Sequence, residues 1–250
     1  MKISGIIPAR YASTRFPGKP LIDIGGKSMI QRVYEQACKS GLLTDVIVAT
    51  DDQRIADHVA GFGGTVQMTS AHHQSGTDRC AEVALNYPET EVFINIQGDE
   101  PFIDPRQIDL LCHCFSESDV SLATLVKKIK TDVELHSQNI PKVVVSNKNE
   151  AIYFSRTPIP FLRDHQQEHW LAHQTYYKHV GIYGYRREAL KLITQLPLSN
   201  LEQAEALEQL RWIENGWRIK VAVTDIESIA IDTPSDLHKA LSQVDLTLYD

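Results

Sequence analysis

Arg10, Arg15 and Lys19 stand close together in Ile7-Pro8-Ala9-Arg10-Tyr11-Ala12-Ser13-Thr14-Arg15-Phe16-Pro17-Gly18-Lys19-Pro20, directly after an apolar run. Cations of one sign in a proline-bracketed turn suit a polyphosphate. Guanidinium and ammonium groups supply charge-assisted hydrogen bonds, and small residues such as Ala12, Ser13 and Gly18 let backbone N–H groups approach phosphate oxygens. The alternative is a solvated basic loop that joins strand to helix. Neither the Walker spacing nor the dinucleotide-binding glycine pattern is present.

A second group carries oxygen ligands. Asn95-Ile96-Gln97-Gly98-Asp99-Glu100-Pro101 ends an apolar run in adjacent carboxylates. Asp99 at the carboxyl end of a strand is a hard donor for Mg²⁺ where phosphates would sit; the competing reading is a Gly98-Asp99 turn with Glu100 solvated. Asp232, in Ala230-Ile231-Asp232-Thr233-Pro234, serves equally well as a second metal-binding carboxylate or as an acid that stabilises a helix N-terminus. His72-His73-Gln74-Ser75-Gly76-Thr77-Asp78-Arg79 opens a helix whose N-terminus and Arg79 suit an anion or a base edge, although capping by Ser75 or Thr77 accounts for the same residues. In the second half, His179, Gly181, Tyr183 and Tyr185 share one face of a strand, lining a sugar-sized pocket or forming an aromatic core. Leu201 to Arg211 reads as an ordinary amphipathic helix, with nothing in its pattern that speaks of a ligand.

The elements that must position these groups alternate. Lys2 to Ile7 is apolar enough for a buried parallel strand, with Pro8 expected to end its ladder. Val46 to Ala49, Val92 to Ile96 and the weaker Thr65 to Met68 are further strands, with helices near 28–39, 53–61 and 76–86. Gly41 and Gly63-Gly64 are expected helix stops. This alternation predicts an α/β fold, a doubly wound and mostly parallel sheet, and such sheets bind ligands in loops leaving the carboxyl ends of strands. From Ser121 to Tyr185 the rhythm changes to extended runs at 122–126, 143–145, 152–154 and 179–185, with a hairpin turn at Asn147-Lys148-Asn149-Glu150. This stretch is expected to be a β-rich lobe, roughly 121–185, within one integrated unit spanning 1–250. Its segment 157–174 has no clear periodicity. Helices follow near 187–195 and 201–214, a strand at 219–223, and a helix at 233–244 that starts on Thr233-Pro234.

The whole chain narrows the class. It has 250 residues and a formal net charge of −7, which argues against a general nucleic-acid binder. The opening Met1-Lys2-Ile3-Ser4-Gly5 shows no apolar signal region, and no apolar run reaches membrane-spanning length, so a cytoplasmic location without membrane insertion is expected. Cys38, Cys80, Cys112 and Cys114 read as reduced, mostly buried thiols. Cys112-His113-Cys114 lacks the second ligand cluster that a structural zinc site needs.

Taken together, Ile7 to Pro20, Thr50-Asp51-Asp52, His73 to Arg79, Asn95 to Pro101, Tyr153 to Arg156, His179 to Tyr185, Leu207 to Arg211 and Asp232 to Pro234 resemble the 3-deoxy-manno-octulosonate (Kdo) cytidylyltransferases. The resemblance runs along nearly the whole chain in order. It implies a Rossmann-like nucleotidyltransferase fold, a lobe used for sugar binding and dimerisation, and transfer of CMP from CTP to Kdo with release of pyrophosphate, for lipopolysaccharide biosynthesis. It further implies that Arg10, Ser13, Arg15 and Lys19 cradle the triphosphate, Gln74, Arg79 and Gln97 hold the cytidine, and Asp99 and Asp232 bind Mg²⁺. Arg156, Arg163, His179, Tyr183, Glu208 and Gln209 would contact the sugar acid, and a homodimer is the implied assembly. A cytidylyltransferase for 8-amino-Kdo or a neuraminate-type acid follows the same logic. A non-catalytic nucleotide sensor is the reading from another class, and it has no need of both Asp99 and Asp232.

Overall fold

Apolar β-branched runs alternating with amphipathic helices build the first part of the chain, as the periodicity requires. In order, the elements are β1 (Ile3–Ala9), β2 (Asp23–Ile24), β3 (Lys27–Ser28), α1 (Met29–Cys38), β4 (Asp45–Thr50), α2 (Gln53–Gly61), β5 (Val66–Met68), α3 (Gly76–Leu85), β6 (Val92–Asn95) and α4 (Pro105–His113). Then come β7 (Leu122–Lys128), α5 (Asp132–His136), β8 (Lys142–Val145), β9 (Ala151–Ser155), α6 (Trp170–His173), β10 (Tyr177–Arg186), α7 (Arg187–Ile193), α8 (Asn200–Glu205), α9 (Gln209–Glu214) and β11 (Ile219–Val223). Helix α10 (Pro234–Gln243) closes the chain. The structure, a computed structural model, describes residues 1–12 and 16–249, so Ser13 and Arg15 lie outside the described residues. Among those described, no helix is long and apolar enough to cross a membrane.

The chain divides into two units, Met1–Cys112 with Ser228–Asp250, and His113–Glu227. In the first, the strands lie in the order β6-β1-β4-β5 and all pair in parallel. The chain therefore steps outward from β1 to β4 to β5, then returns through α3 to the other side of β1. Right-handed crossovers put α1 and α2 on one face and α3 on the other after that reversal. The reversal makes the carboxyl ends of β1 and β6 a topological switch point, the place where such sheets leave a crevice.

Pro8 does not end β1. It stays in register with Ala49 of β4, and β1 continues to Ala9. The Ile6 carbonyl accepts from Ile96 N–H at 2.8 Å, so Ile6 faces β6. Pro8, two residues on, turns its missing N–H to the same side. Pairing with β6 accordingly stops at Ile6, while the ladder to β4 is untouched.

The second unit is antiparallel except at one edge. Strand β7 pairs with β10 antiparallel and with β11 in parallel; β10 also pairs with β8, and β8 with β9. The hairpin turn between β8 and β9 is where expected, with Asn149 at φ 56°. The helix expected over 201–214 is broken: Ala206 adopts the left-handed conformation (φ 50°, ψ 49°) between α8 and α9. Alanine favours helix on propensity, so the break is imposed by tertiary bonds to the carbonyls of Glu205 and Ala206. The aperiodic segment 157–174 contains only the turn of 3-10 helix Gln167–His169 and α6. Cys38 is exposed and the other cysteines are buried, and all are free thiols.

The segment before α10 is anchored by Ile231, which is fully buried in a cluster with Ile24, Met29, Phe102 and Ala240. Thr233 caps α10 through a reciprocal bond with Asp236, as its position before Pro234 predicted. Ile231→Ala should lower the unfolding free energy by about 2–4 kcal/mol, the cost of a cavity at a site without solvent access, read from the midpoint of urea denaturation.

Candidate functional site

The loop after β1 is closed on itself. Gly18 N–H donates to the Tyr11 carbonyl at 3.0 Å, and Gly18 takes φ 70°, where a side chain would be strained and would press on the Tyr11 ring. Tyr11 in turn lies under the Arg54 guanidinium, 3.3 Å from ring centroid to Cζ, and Arg54 is held by Asp52. This closure delivers Lys19, the first residue of a short 3-10 turn, to the strand ends.

There Lys19 Nζ lies 2.9 Å from Asp99 Oδ2 and 3.1 Å from Asp232 Oδ1. Asp99 arrives from β6 through Gly98, whose missing side chain matters: a Cβ there would stand 2.7 Å from the Pro8 carbonyl oxygen. Asp232 arrives from the far end of the sequence, and Ile231 N–H donates to the Asp99 carbonyl at 2.9 Å, locking the two segments side by side. Thr233 Oγ1 accepts from Asp236 N–H and Asp236 accepts from the Asp232 and Thr233 N–H groups, so the helix start is capped by Thr233 with Asp236 and the Asp232 carboxylate points to Lys19. Of the two readings open for Asp232, the capping role thus falls to its neighbour. Glu100 differs from Asp99: it is buried rather than solvated, and burial followed by repulsion from Asp99 pushes its carboxyl up to about 7.

Two carboxylates aimed at one ammonium form a cation position made of hard oxygen donors. Among the described residues no third His, Cys, Asp or Glu joins them. That donor set fits Mg²⁺, which usually takes one or two carboxylates and completes its shell with water and substrate phosphates.

Other expected nucleotide residues surround the same strand ends. Arg10 donates to the His73 carbonyl, and His73 is tied to Glu82, which also accepts from Ser70 N–H at 2.9 Å. Gln74 is exposed, its amide donating to the His72 carbonyl, and Gln97 is half-buried beside Gly98. Arg79 has no exposed surface; it bonds to Thr69 and stands 3.2 Å from Asp51. Burial lowers its pKa, a shift that Asp51 opposes. Asn95, at the end of β6, keeps a buried Oδ1 without a hydrogen-bond partner. It is an acceptor that no sequence signal distinguished from an ordinary strand residue.

The second unit holds the other set. Tyr183 packs edge-on against Trp212 at 5.1 Å and tilts toward His179 at 5.1 Å, while Phe154 closes the other side of the imidazole at 5.3 Å. The bulge in β10 adds two residues between Val180 and Tyr183, so alternation is preserved and His179 and Tyr183 remain on one face. The Thr124 hydroxyl lies 2.7 Å from the Ile182 carbonyl and 2.9 Å from His179 Nε2. Its single proton goes to the carbonyl, so Nε2–H of His179 donates to Thr124 and Nδ1 carries the lone pair. Burial takes the His179 pKa down to about 3, which keeps the ring neutral, and raises that of the Tyr183 phenol well above its ordinary value.

Tyr183 Oη and Gln209 Nε2 are buried without a hydrogen-bond partner. Such donors cost free energy unless something supplies an acceptor. Glu208 is half-buried next to Gln209, and Arg163 is exposed in the loop after β9. Arg156 spends Nε, Nη1 and Nη2 on the carbonyls of Glu205, Gln138 and Ala206. Thr124 and Trp212 belong to this set by contact, although neither carried a local signal.

Parallel α/β winding, a topological switch point and a cation–carboxylate cluster at its strand ends define the class as nucleotide-handling α/β proteins. Residues 4–226 match the family described as Cytidylyltransferase. The chain is 56% identical over 247 residues to the 3-deoxy-manno-octulosonate cytidylyltransferase of Parabacteroides distasonis, covering 97% of this chain and 98% of that protein. It is 55% identical to the protein of the same name from Bacteroides thetaiotaomicron, with 96% and 97% covered. A solved CMP:2-keto-3-deoxy-manno-octonic acid synthetase complexed with CTP superposes with TM-score 0.90 at 43% identity, covering 97% of this chain and 98% of that one. A cytidylyltransferase from Leptospira borgpetersenii, at TM-score 0.64 and 16% identity over 97% of this chain and 86% of that one, shares the fold. The chain belongs to the family of 3-deoxy-manno-octulosonate cytidylyltransferases.

The neutral His179 has a consequence for stability. The unfolded chain protonates this imidazole near 6.5 and the folded chain only at about 3. The stability that this group contributes is therefore fully present above pH 6.5 and is lost as pH falls toward the folded value. His179→Gln should show a shallower acid loss of unfolding free energy than the unsubstituted chain, measured by urea titration at a series of pH values.

Proposed function

We propose that this chain joins CTP and Kdo to give CMP-Kdo and pyrophosphate, a step that supplies an activated sugar for lipopolysaccharide assembly. The observation that carries this reading is the convergence of Asp99, Asp232 and Lys19 at the switch-point strand ends, in a chain of this family. Arg10 and Lys19, with Ser13 and Arg15, take the triphosphate. Gln74, Arg79 and Gln97 serve the cytidine part, Arg79 from a buried position. In the second unit Arg163, Glu208, Gln209, Tyr183 and the neutral His179 serve the sugar acid, together with Arg156.

Phosphoryl transfer asks for positioning and charge neutralisation more than for a covalent intermediate. The anomeric hydroxyl of Kdo attacks the α-phosphorus in line, the bond to the bridging oxygen breaks, and pyrophosphate leaves with its charge balanced by Lys19 and Arg15. Mg²⁺ held by Asp99 and Asp232 supplies, when bound, further neutralisation of phosphate charge and a lower pKa for the attacking hydroxyl. The protein acts in the cytoplasm as a homodimer in this reading, with the second unit contributing the interface.

The test is pyrophosphate release with Mg²⁺ and CTP against Kdo, 8-amino-Kdo, N-acetylneuraminate and no acceptor. Release with Kdo well above the other arms is expected; preference for another acid reassigns the sugar, and no release with any acceptor overturns the activity. Asp99→Asn should keep the fold by circular dichroism and lose about 10²–10³-fold in turnover, as expected when a group that organises transition-state charge is removed. Near-normal turnover of that variant at saturating Mg²⁺ would remove Asp99 from the metal assignment.

A further inference from the structure

The end of β9 and the turn between α8 and α9 are fastened to each other by one carboxylate. Glu205 Oε1 accepts from Ser155 Oγ at 2.7 Å and Oε2 accepts from Arg156 N–H at 2.9 Å. The bond is returned: Arg156 Nε donates to the Glu205 carbonyl at 2.6 Å and Nη2 to the Ala206 carbonyl at 3.1 Å. Lys142, without exposed surface, supports the other side by donating to the Arg156 carbonyl at 2.5 Å and to the carbonyls of Ser137 and Ile140 at 2.7 Å.

This fastening holds a conformation that alanine disfavours. Ala206 at φ 50° places Cβ against its own backbone, a cost that surrounding bonds must offset. Without them, the favourable course for Ala204 to Leu207 is continued helix, which would rotate every following residue about the axis. Glu208 and Gln209 come directly after the turn, and Gln209 already holds a buried, unpartnered Nε2. A rotation there would move both side chains, and Trp212 with them, relative to Tyr183 on β10.

We infer that Glu205 is a positioning residue for sugar-acid recognition: by latching β9 to the left-handed turn at Ala206, it sets where Glu208 and Gln209 stand. This rests on the sugar-acid reading of those two residues given above. Glu205 itself is committed to Ser155 and Arg156, so its effect is exerted through its neighbours.

The experiment is steady-state kinetics of pyrophosphate release with Kdo and CTP varied separately, for the unsubstituted protein, Glu205→Ala, Glu205→Gln and the double variant Glu205→Ala/Ala206→Gly. Glu205→Ala should raise KM for Kdo roughly tenfold or more while KM for CTP stays within about twofold, since the lost hydrogen bonds are those that order the sugar side alone. Glutamine should recover most of the loss, because its amide oxygen accepts from Arg156 N–H and its NH₂ donates to Ser155 Oγ. Glycine at 206 should recover part of it by removing the steric cost of the left-handed turn. If Glu205→Ala does not fold, Ser155→Ala removes only one of the two carboxylate bonds and should raise KM for Kdo by about threefold. The inference is overturned if KM for Kdo is unchanged in the folded variant, if both KM values rise together, or if Glu205→Gln is as impaired as Glu205→Ala. An unsubstituted protein that is inert with Kdo fails at the earlier step, taking the proposed activity with it, and so is distinguishable from a failed latch in an active enzyme.

Discussion

Two like charges brought together from opposite ends of the sequence need a reason to stay. Asp99 and Asp232 repel each other, and the Lys19 ammonium between them is what makes their approach favourable. The trio is only partly open to solvent, so the Coulomb attraction is several-fold larger than it would be in bulk water. The bond from Ile231 N–H to the Asp99 carbonyl fixes the backbones, and the apolar anchoring of Ile231 fixes that bond in turn. The strand ends of the first unit, the segment before α10 and the Lys19 ammonium all meet at this one point.

Much of the first unit reads as support for it. Parallel pairing puts the ends of β1 and β6 next to each other, and the missing N–H of Pro8 stops their ladder just where Gln97 and Gly98 must pass. Gly98 clears the Pro8 carbonyl, and Gly18 closes the cationic loop onto Tyr11. Glu100, one residue from Asp99, is buried and inclined to hold its proton, which keeps a further negative charge from accumulating beside the pair. Adjacent carboxylates thus receive different work from their surroundings: one meets cations, the other joins the interior.

The second unit answers a different physical problem, that of burying polar groups with little formal charge among them. Its polar groups are set into an aromatic wall of Phe154, Tyr183, Tyr185 and Trp212. Burial keeps His179 neutral, and Thr124 selects which ring nitrogen bears the proton. Tyr183 Oη and Gln209 Nε2 are buried hydrogen-bonding groups without a partner, and groups of that kind cost free energy.

Local patterning was enough for the alternation of strands and helices, the switch-point placement of the cationic loop and of Asp99, and the Thr233 helix start, because periodicity, turn chemistry and capping act over a few residues. The sequence also marked Lys19 and Asp232 as candidates, but could not tell a cap from a ligand at Asp232. Only the fold gives the capping bonds to Thr233 and Asp236 and turns Asp232 toward Lys19. Likewise propensity favours an unbroken helix over 201–214, which the structure does not have. Its break at Ala206 depends on Arg156, about fifty residues away along the chain, where no local rule reaches. The burial that separates Glu100 from Asp99, the neutral state of His179 and the choice of its tautomer are likewise tertiary. Each depends on which atoms surround a group and exclude water from it, and those atoms come from segments that are distant in sequence.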